Sequence, residues 1–296
     1  MSGIGKLMVP GSRLLKAIAY DRKKHRLRGL KIIQLLSKIA LADDPKVKVQ
    51  PYNFEGLDSA WFTPKTLKSD KVILYLHGGG YAVCSWRTHR TMISYLSRVS
   101  GMKILAINYR MTPEFPFPAA VEDATRALKV LMNEFGPEKV IVGGDSAGGG
   151  LSFAAMFSLK DQGLPLPGKA FALSPWLNLN VSLLDGKGST HDDPMLDPEA
   201  VEIWAKRYLN GADALHHWAS PALGNPENFP PFLIHVGERE MLLNESVEFT
   251  QKSRDAGVKA SIRIFPDMVH VFQLMHTLVP EARESIKGIS EFLLEE

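Results

Sequence analysis

Cysteine is almost absent from this chain. A single Cys84 stands among 296 residues, so no internal disulfide can staple the fold, and a reducing compartment is expected. No apolar run approaches the roughly 18 residues that a membrane-spanning helix needs. The first residues lack the unbroken apolar stretch of a secretory leader, because Lys6, Pro10, Arg13 and Lys16 interrupt it. Charge of one sign is also scarce overall. The 35 Lys and Arg against 32 Asp and Glu leave +3, too little to suggest a nucleic-acid partner. Internal repeats and low-complexity linkers are missing as well. What is present, 45% hydrophobic and 23% charged, is ordinary for a globular protein. A cytoplasmic location is the expectation.

The charge is unevenly placed. Ten Lys and Arg lie within the first forty residues, against one acid, Asp21. Leu27, Leu30, Ile32, Ile33, Leu35, Leu36 and Ile39 recur at helical spacing and predict an amphipathic helix over 24–41. Its basic side reads as a solvated face over the protein's own apolar surface, in preference to a membrane contact. Two extended pieces, 47–52 and 57–63, flank a turn at Gly56 and predict a hairpin. Short apolar runs follow at 72–76, 104–107, 140–142, 171–173, 232–236 and 262–265, as in strands buried on both faces. Helical stretches alternate with them at 87–99, 118–134, 147–161, 244–256 and 281–294. Such alternation implies an α/β fold with a mostly parallel sheet covered on both sides. The segment from about 178 to 217 breaks the pattern with a polar loop and a helix near 198–209. It reads as an insertion above the sheet.

The sharpest chemical signal is Gly144-Asp145-Ser146-Ala147-Gly148, between a strand and a helix. This is G-x-S-x-G in its required context: a strained turn presents the serine hydroxyl at the C-terminal edge of the sheet. The helix N-terminus behind it favours negative charge. A second signal, His77-Gly78-Gly79-Gly80, also follows a strand. It matches the HGGG loop whose backbone N–H groups complete an oxyanion hole. A phosphate-binding loop would continue with Lys and Ser or Thr; here Tyr81-Ala82 follows. The expected oxyanion donors are the amides of Gly79, Gly80 and Ala147.

Serine needs a general base, and the base needs an acid to hold its tautomer. In α/β-hydrolases the chain order is Ser, then Asp or Glu, then His. His270 follows the last strand and is preferred as base to His276, which reads as a surface residue of the next helix. After the strand at 232–236 come Glu238 and Glu240, with no aspartate between them. His235, inside that strand, reads as a buried structural histidine.

Together the residues resemble the bacterial hormone-sensitive-lipase-like esterases, an α/β-hydrolase family. The likeness rests on His77 to Gly80, on Asn108-Tyr109-Arg110-Met111-Thr112-Pro113-Glu114 running into Pro116-Phe117-Pro118-Ala119-Ala120, on Gly144 to Gly148, on Ser174-Pro175, and on Pro266 to Phe272. It covers about 70–296 well. It implies an eight-stranded, mostly parallel sheet with a helical cap built from residues 1–45 and the insertion at about 178–217, the catalytic domain spanning 46–296. Many members carry Asp at the acid position, where this chain has Glu240; Glu238 and Asp267 are the reserves. Where many relatives have glycine, this chain has Asp267 and Val271. Arg110 and Glu114 resemble an ion pair bracing their loop. Asp145 is expected to bond neighbouring backbone, and the His77 ring to pin the oxyanion loop.

Tyr81, Trp86, Trp176, Met195 and Trp204 read as packing or as the wall of an acyl pocket. His191, Asp192, Asp193, His216 and His217 lack the spacing of a zinc site. The implied activity is a serine carboxylesterase for short- to medium-chain acyl esters, through an acyl-enzyme on Ser146 with His270 as base and Glu240 as orienting acid. Neither cofactor nor metal is called for, the partner is a small-molecule ester, and a homodimer fits the family habit. The alternatives are a related deacetylase or arylformamidase, and a non-catalytic binding protein like the gibberellin receptors. Those receptors lack the catalytic histidine, whereas His270 is present.

Overall fold

A computed structural model describes residues 44–180 and 193–295. The predicted helix over 24–41, and with it the N-terminal part of the expected cap, lies outside the described residues. The sheet has eight strands in the order β1-β2-β4-β3-β5-β6-β7-β8. β1 (Val47–Phe54) and β2 (Leu57–Pro64) form the predicted hairpin, with Gly56 in the turn at a φ of 88°. β2 runs antiparallel to β4 (Lys103–Ile107). The remaining pairs, among β3 (Val72–Leu76), β4, β5 (Val140–Asp145), β6 (Lys169–Leu173), β7 (Phe232–Gly237) and β8 (Ala260–Phe265), are parallel.

Alternation along the strands divides the core into two layers. Leu74, Leu76, Leu105, Ile107, Val140 and Val142 face one side, where α2 (Ala119–Phe135), α3 (Ser146–Asp161) and α5 (Leu243–Asp255) pack. Ile73, Tyr75, Ile104, Ala106 and Ile141 face the other, against α1 (Trp86–Ser100) and α6 (Pro280–Leu294). The expectation of strands buried on both faces holds for β3, where every residue is buried. It does not hold for β8, whose Ile264 is 43% exposed, because β8 is an edge of the sheet. Helix α3 carries buried side chains all round, from Ala147 to Leu159. That is the mark of a central helix. Within the expected insertion, α4 (Pro198–Leu209) forms as predicted; Asp197 caps it by accepting the N–H of Glu199 at 3.1 Å. No helix among the described residues is long and apolar enough to cross a membrane.

Candidate active site

Four parallel strands, β3, β5, β7 and β8, deliver the predicted residues to one edge of the sheet. That edge, at the strands' carboxyl ends, is where open α/β sheets bind ligands. Ser146 begins α3 directly after β5 with a φ of 50°, the left-handed backbone of a strained turn. The flanking glycines have a steric reason. A Cβ on Gly144 or on Gly148 would run into the carbonyl oxygen of Leu76 at the end of β3.

Three side chains then line up. Ser146 Oγ lies 2.9 Å from His270 Nε2, and His270 Nδ1 lies 2.8 Å from Glu240 Oε2. His270 is 6% exposed and Glu240 fully buried. The other oxygen of Glu240 accepts the hydroxyl of Ser174 and the N–H of Gly237, each at 2.6 Å. Burial works against a charged His270 ring, but the hydrogen bond and charge of Glu240, with Asp193 and Asp145 beyond, outweigh it. The imidazole pKa is raised above its ordinary value. The serine in the sequence motif Ser174-Pro175 therefore serves the acid directly, and it also accepts the N–H of Val271 at 3.1 Å.

The reserve acids stand elsewhere. Asp267 is bound by Arg239 at 2.9 Å, and Glu238 accepts the N–H of Asp267 at 2.9 Å. Both Asp267 and Val271 have left-handed backbone, with φ of 59° and 45°. These are the two positions where the resemblance leads one to expect glycine. Aspartate tolerates that region, whereas for a β-branched valine it is an outlier; Ser174 helps hold it there. His276 is buried and stacks on Tyr95, with ring centroids 5.0 Å apart, which corrects the surface placement. His235 is buried against Ser285, at 2.9 Å, as expected of a structural residue.

The glycine loop approaches from β3. Gly79 and Gly80 have φ of 119° and 60°, values that glycine alone adopts freely. Ala147 is the second residue of α3, where N–H groups have no intrahelical acceptor. His77 pins the loop: Nδ1 donates to the carbonyl of Gly78 at 2.7 Å and the ring stacks on Tyr109 at 4.6 Å. Asp145 does bond backbone, accepting the N–H of Gly78 at 3.1 Å, and it also pairs with His89. The latter partnership had no sequence signal, since the two residues lie 56 positions apart.

Arg110 corrects another expectation. Its partners are Asp123, at 3.0 Å, and Glu122, at 2.9 Å, one helix turn into α2, and not Glu114. Of the aromatic and Met candidates, Trp204 packs over Gly80 and Tyr81 stacks on Tyr208 at 3.8 Å. Trp176 donates to the carbonyl of Asn178 at 3.0 Å. Trp86 meets Phe62 edge-on in the layer of α1, and Met195 packs against the small apolar cluster that contains Met268 and Phe272. Among the described residues no group of three potential ligands is placed to hold a metal. His191 and Asp192 lie outside those residues. Asp193 is buried and accepts the N–H groups of Met195, Leu196 and Met241 at 2.7–2.9 Å. It fastens the insertion to the residue following Glu240. A polar loop in the sequence gave no hint of that.

The fold and this constellation define an α/β-hydrolase. A family description for the alpha/beta hydrolase fold matches residues 73–274. The chain belongs to that family, and within it to the hormone-sensitive-lipase-like carboxylic ester hydrolases. A relative from Streptomyces hygroscopicus named acetyl-hydrolase is 39% identical over 239 residues, covering 79% of this chain and 78% of that one. A crystal structure of an esterase/lipase from an uncultured bacterium is 36% identical with a TM-score of 0.88, spanning 99% and 98% of the two chains. A crystal structure of an esterase from the bacterial hormone-sensitive lipase family is 32% identical with a TM-score of 0.89, again over 99% and 98%.

Proposed function

We propose that the protein is a serine carboxylesterase acting on short- to medium-chain acyl esters by acyl transfer. The observation that carries this is the continuous hydrogen-bonded line from Ser146 through His270 to Glu240. Ser146 Oγ attacks the ester carbonyl while His270 Nε2 takes its proton. Glu240 holds the Nδ1–H tautomer and balances the imidazolium. The backbone N–H groups of Gly79, Gly80 and Ala147 receive the oxyanion. His270 then protonates the leaving alcohol, leaving Ser146 acylated. Water, deprotonated by the same imidazole, releases the acid and restores the serine. The chemistry is complete without a cofactor. Helix α4 brings Trp204 against Gly80 of the glycine loop, and a cap over this edge built from that helix fits the reading.

The relative named acetyl-hydrolase supports a second reading, removal of acetyl groups, for which an acetylated sugar or drug is a candidate substrate class. A series of p-nitrophenyl esters from acetyl to octanoyl, alongside a sugar acetate and an aryl formamide, separates the readings. Acetyl and butyryl esters should be turned over fastest, and Ser146→Ala should bring every rate to background. Sugar acetate or formamide hydrolysis far above butyryl turnover replaces the substrate class. Undiminished activity in Ser146→Ala removes the mechanism.

A further inference from the structure

Under the glycine loop lies a second carboxylate–imidazole pair that the proposed reaction leaves unused. Asp145 ends β5 next to the nucleophile, and its side chain is sealed from solvent. Its Oδ1 accepts the hydroxyl of Tyr75 at 2.8 Å and the N–H of Gly78 at 3.1 Å. Its Oδ2 stands 3.1 Å from Nε2 of His89, itself buried on α1. The packing is close, for a Cβ on Gly78 would strike that carboxylate.

The protonation state follows from the hydrogen bonds. Nδ1 of His89 lies 2.6 Å from Oγ1 of Thr88. Nδ1 also lies 3.3 Å from the carbonyl oxygen of Ser85, which can only accept. Both ring nitrogens therefore face acceptors, and only an imidazolium donates twice. Burial disfavours the charge, yet Asp145 outweighs it and raises the His89 pKa. The titratable neighbours stay neutral: burial and the charge of His89 lower His77 to about 4, and burial pushes Cys84 up to about 12.

An unpaired anion at Asp145 would oppose the negative charge that develops at Gly79, Gly80 and Ala147. Resting on the acyl-transfer reading, we infer that His89 is a positioning residue whose positive charge neutralises Asp145, so that the carboxylate fixes Gly78 and the glycine loop without repelling the oxyanion.

Charge and mere bracing give opposite results in a double variant. His89→Gln keeps a donor toward Asp145 and removes the charge. Its kcat on p-nitrophenyl butyrate should fall about 10²-fold with KM little changed, in the range of losing one oxyanion donor. Affinity for a trifluoromethyl ketone, whose adduct with Ser146 carries the oxyanion, should fall in parallel. Asp145→Asn/His89→Gln removes both charges while Asn still accepts from Gly78. It should recover about tenfold in kcat and inhibitor affinity over His89→Gln, as coupled neighbours do. A double variant no faster than His89→Gln overturns the inference, and so does His89→Gln with undiminished kcat.

The wild-type protein supplies a reading independent of folding. The imidazole nitrogen shifts of His89 near neutral pH should be those of an imidazolium; a neutral ring overturns the inference. Wild-type protein inert toward every ester would instead remove the acyl-transfer reading itself.

Discussion

At the scale of single residues, the proposed acid shows how the longer arm of a glutamate is held in place at the histidine. Glu240 reaches His270 because Ser174 and Gly237 hold its far oxygen. Glu240→Gln should lower kcat by about 10²- to 10⁴-fold, since an amide does not enforce the required tautomer. Glu238→Gln should stay within about twofold, because its carboxylate accepts the loop N–H of Asp267 and, among the described residues, no hydrogen bond joins it to His270. Steady-state kinetics on one ester decide between them, and equal small losses would move the acid role elsewhere. The pH profile carries the same information. Only the neutral imidazole accepts the serine proton, so the rate climbs as pH rises through the His270 pKa. Glu240 holds that pKa up, so the midpoint should lie above the free-histidine value of about 6.5, and Glu240→Gln should bring it down. Ser146, Glu240 and His270 were legible in the sequence because each follows its strand at a position the motif order requires. Ser174, His89 and Asp193 were not. Their roles depend on neighbours brought close only by the sheet.

At the scale of elements, the tight junction of β5 and α3 governs the site. Gly148 faces the carbonyl of Leu76, and Gly150 faces that of Trp176. Alanine at either position overfills a packed contact between backbones, which typically costs about 1–3 kcal/mol. Gly148→Ala and Gly150→Ala should each unfold at lower denaturant than wild type, whereas Gly163→Ala, where a Cβ meets nothing within 4 Å, carries only its local backbone strain. Equal midpoints for Gly148→Ala and wild type would contradict the tight elbow. The strands were legible because short apolar runs between helical stretches have few other readings. The exposed outer face of β8 was not, since a run such as Ile262 to Phe265 looks the same at the edge as at the centre. The loop after β8 was read only in part: left-handed backbone at Asp267 and Val271 is what glycine would have announced.

At the scale of the whole molecule, buried ionisable groups couple folding to pH. Glu245, on the first turn of α5, accepts the N–H of Leu177 at 2.6 Å. Burial above all raises its pKa from 4.5 to about 8. Between those values the unfolded chain has lost a proton that the folded chain keeps. The Glu245 contribution therefore lowers stability as pH rises across that window. Glutamine has the shape of the protonated acid and does not titrate. Thermal midpoints of Glu245→Gln should exceed wild type by a margin that widens from pH 5 to pH 8; parallel curves would show that Glu245 ionises freely. The α/β class was legible from alternation. The reach of the insertion was not, because Asp193, itself held by the N–H groups of Met195 and Leu196, ties it down through the N–H of Met241, a contact that leaves no mark in composition.

Helix α3 turns no face to water, and β5 lies inside the sheet between β3 and β6. Ser146 is thus mounted on a deeply buried centre of the molecule, while Trp204 of α4 packs at Gly80 beside it. On the proposed function, variation around α4 can remould the approach to Ser146 and leave the anvil beneath untouched.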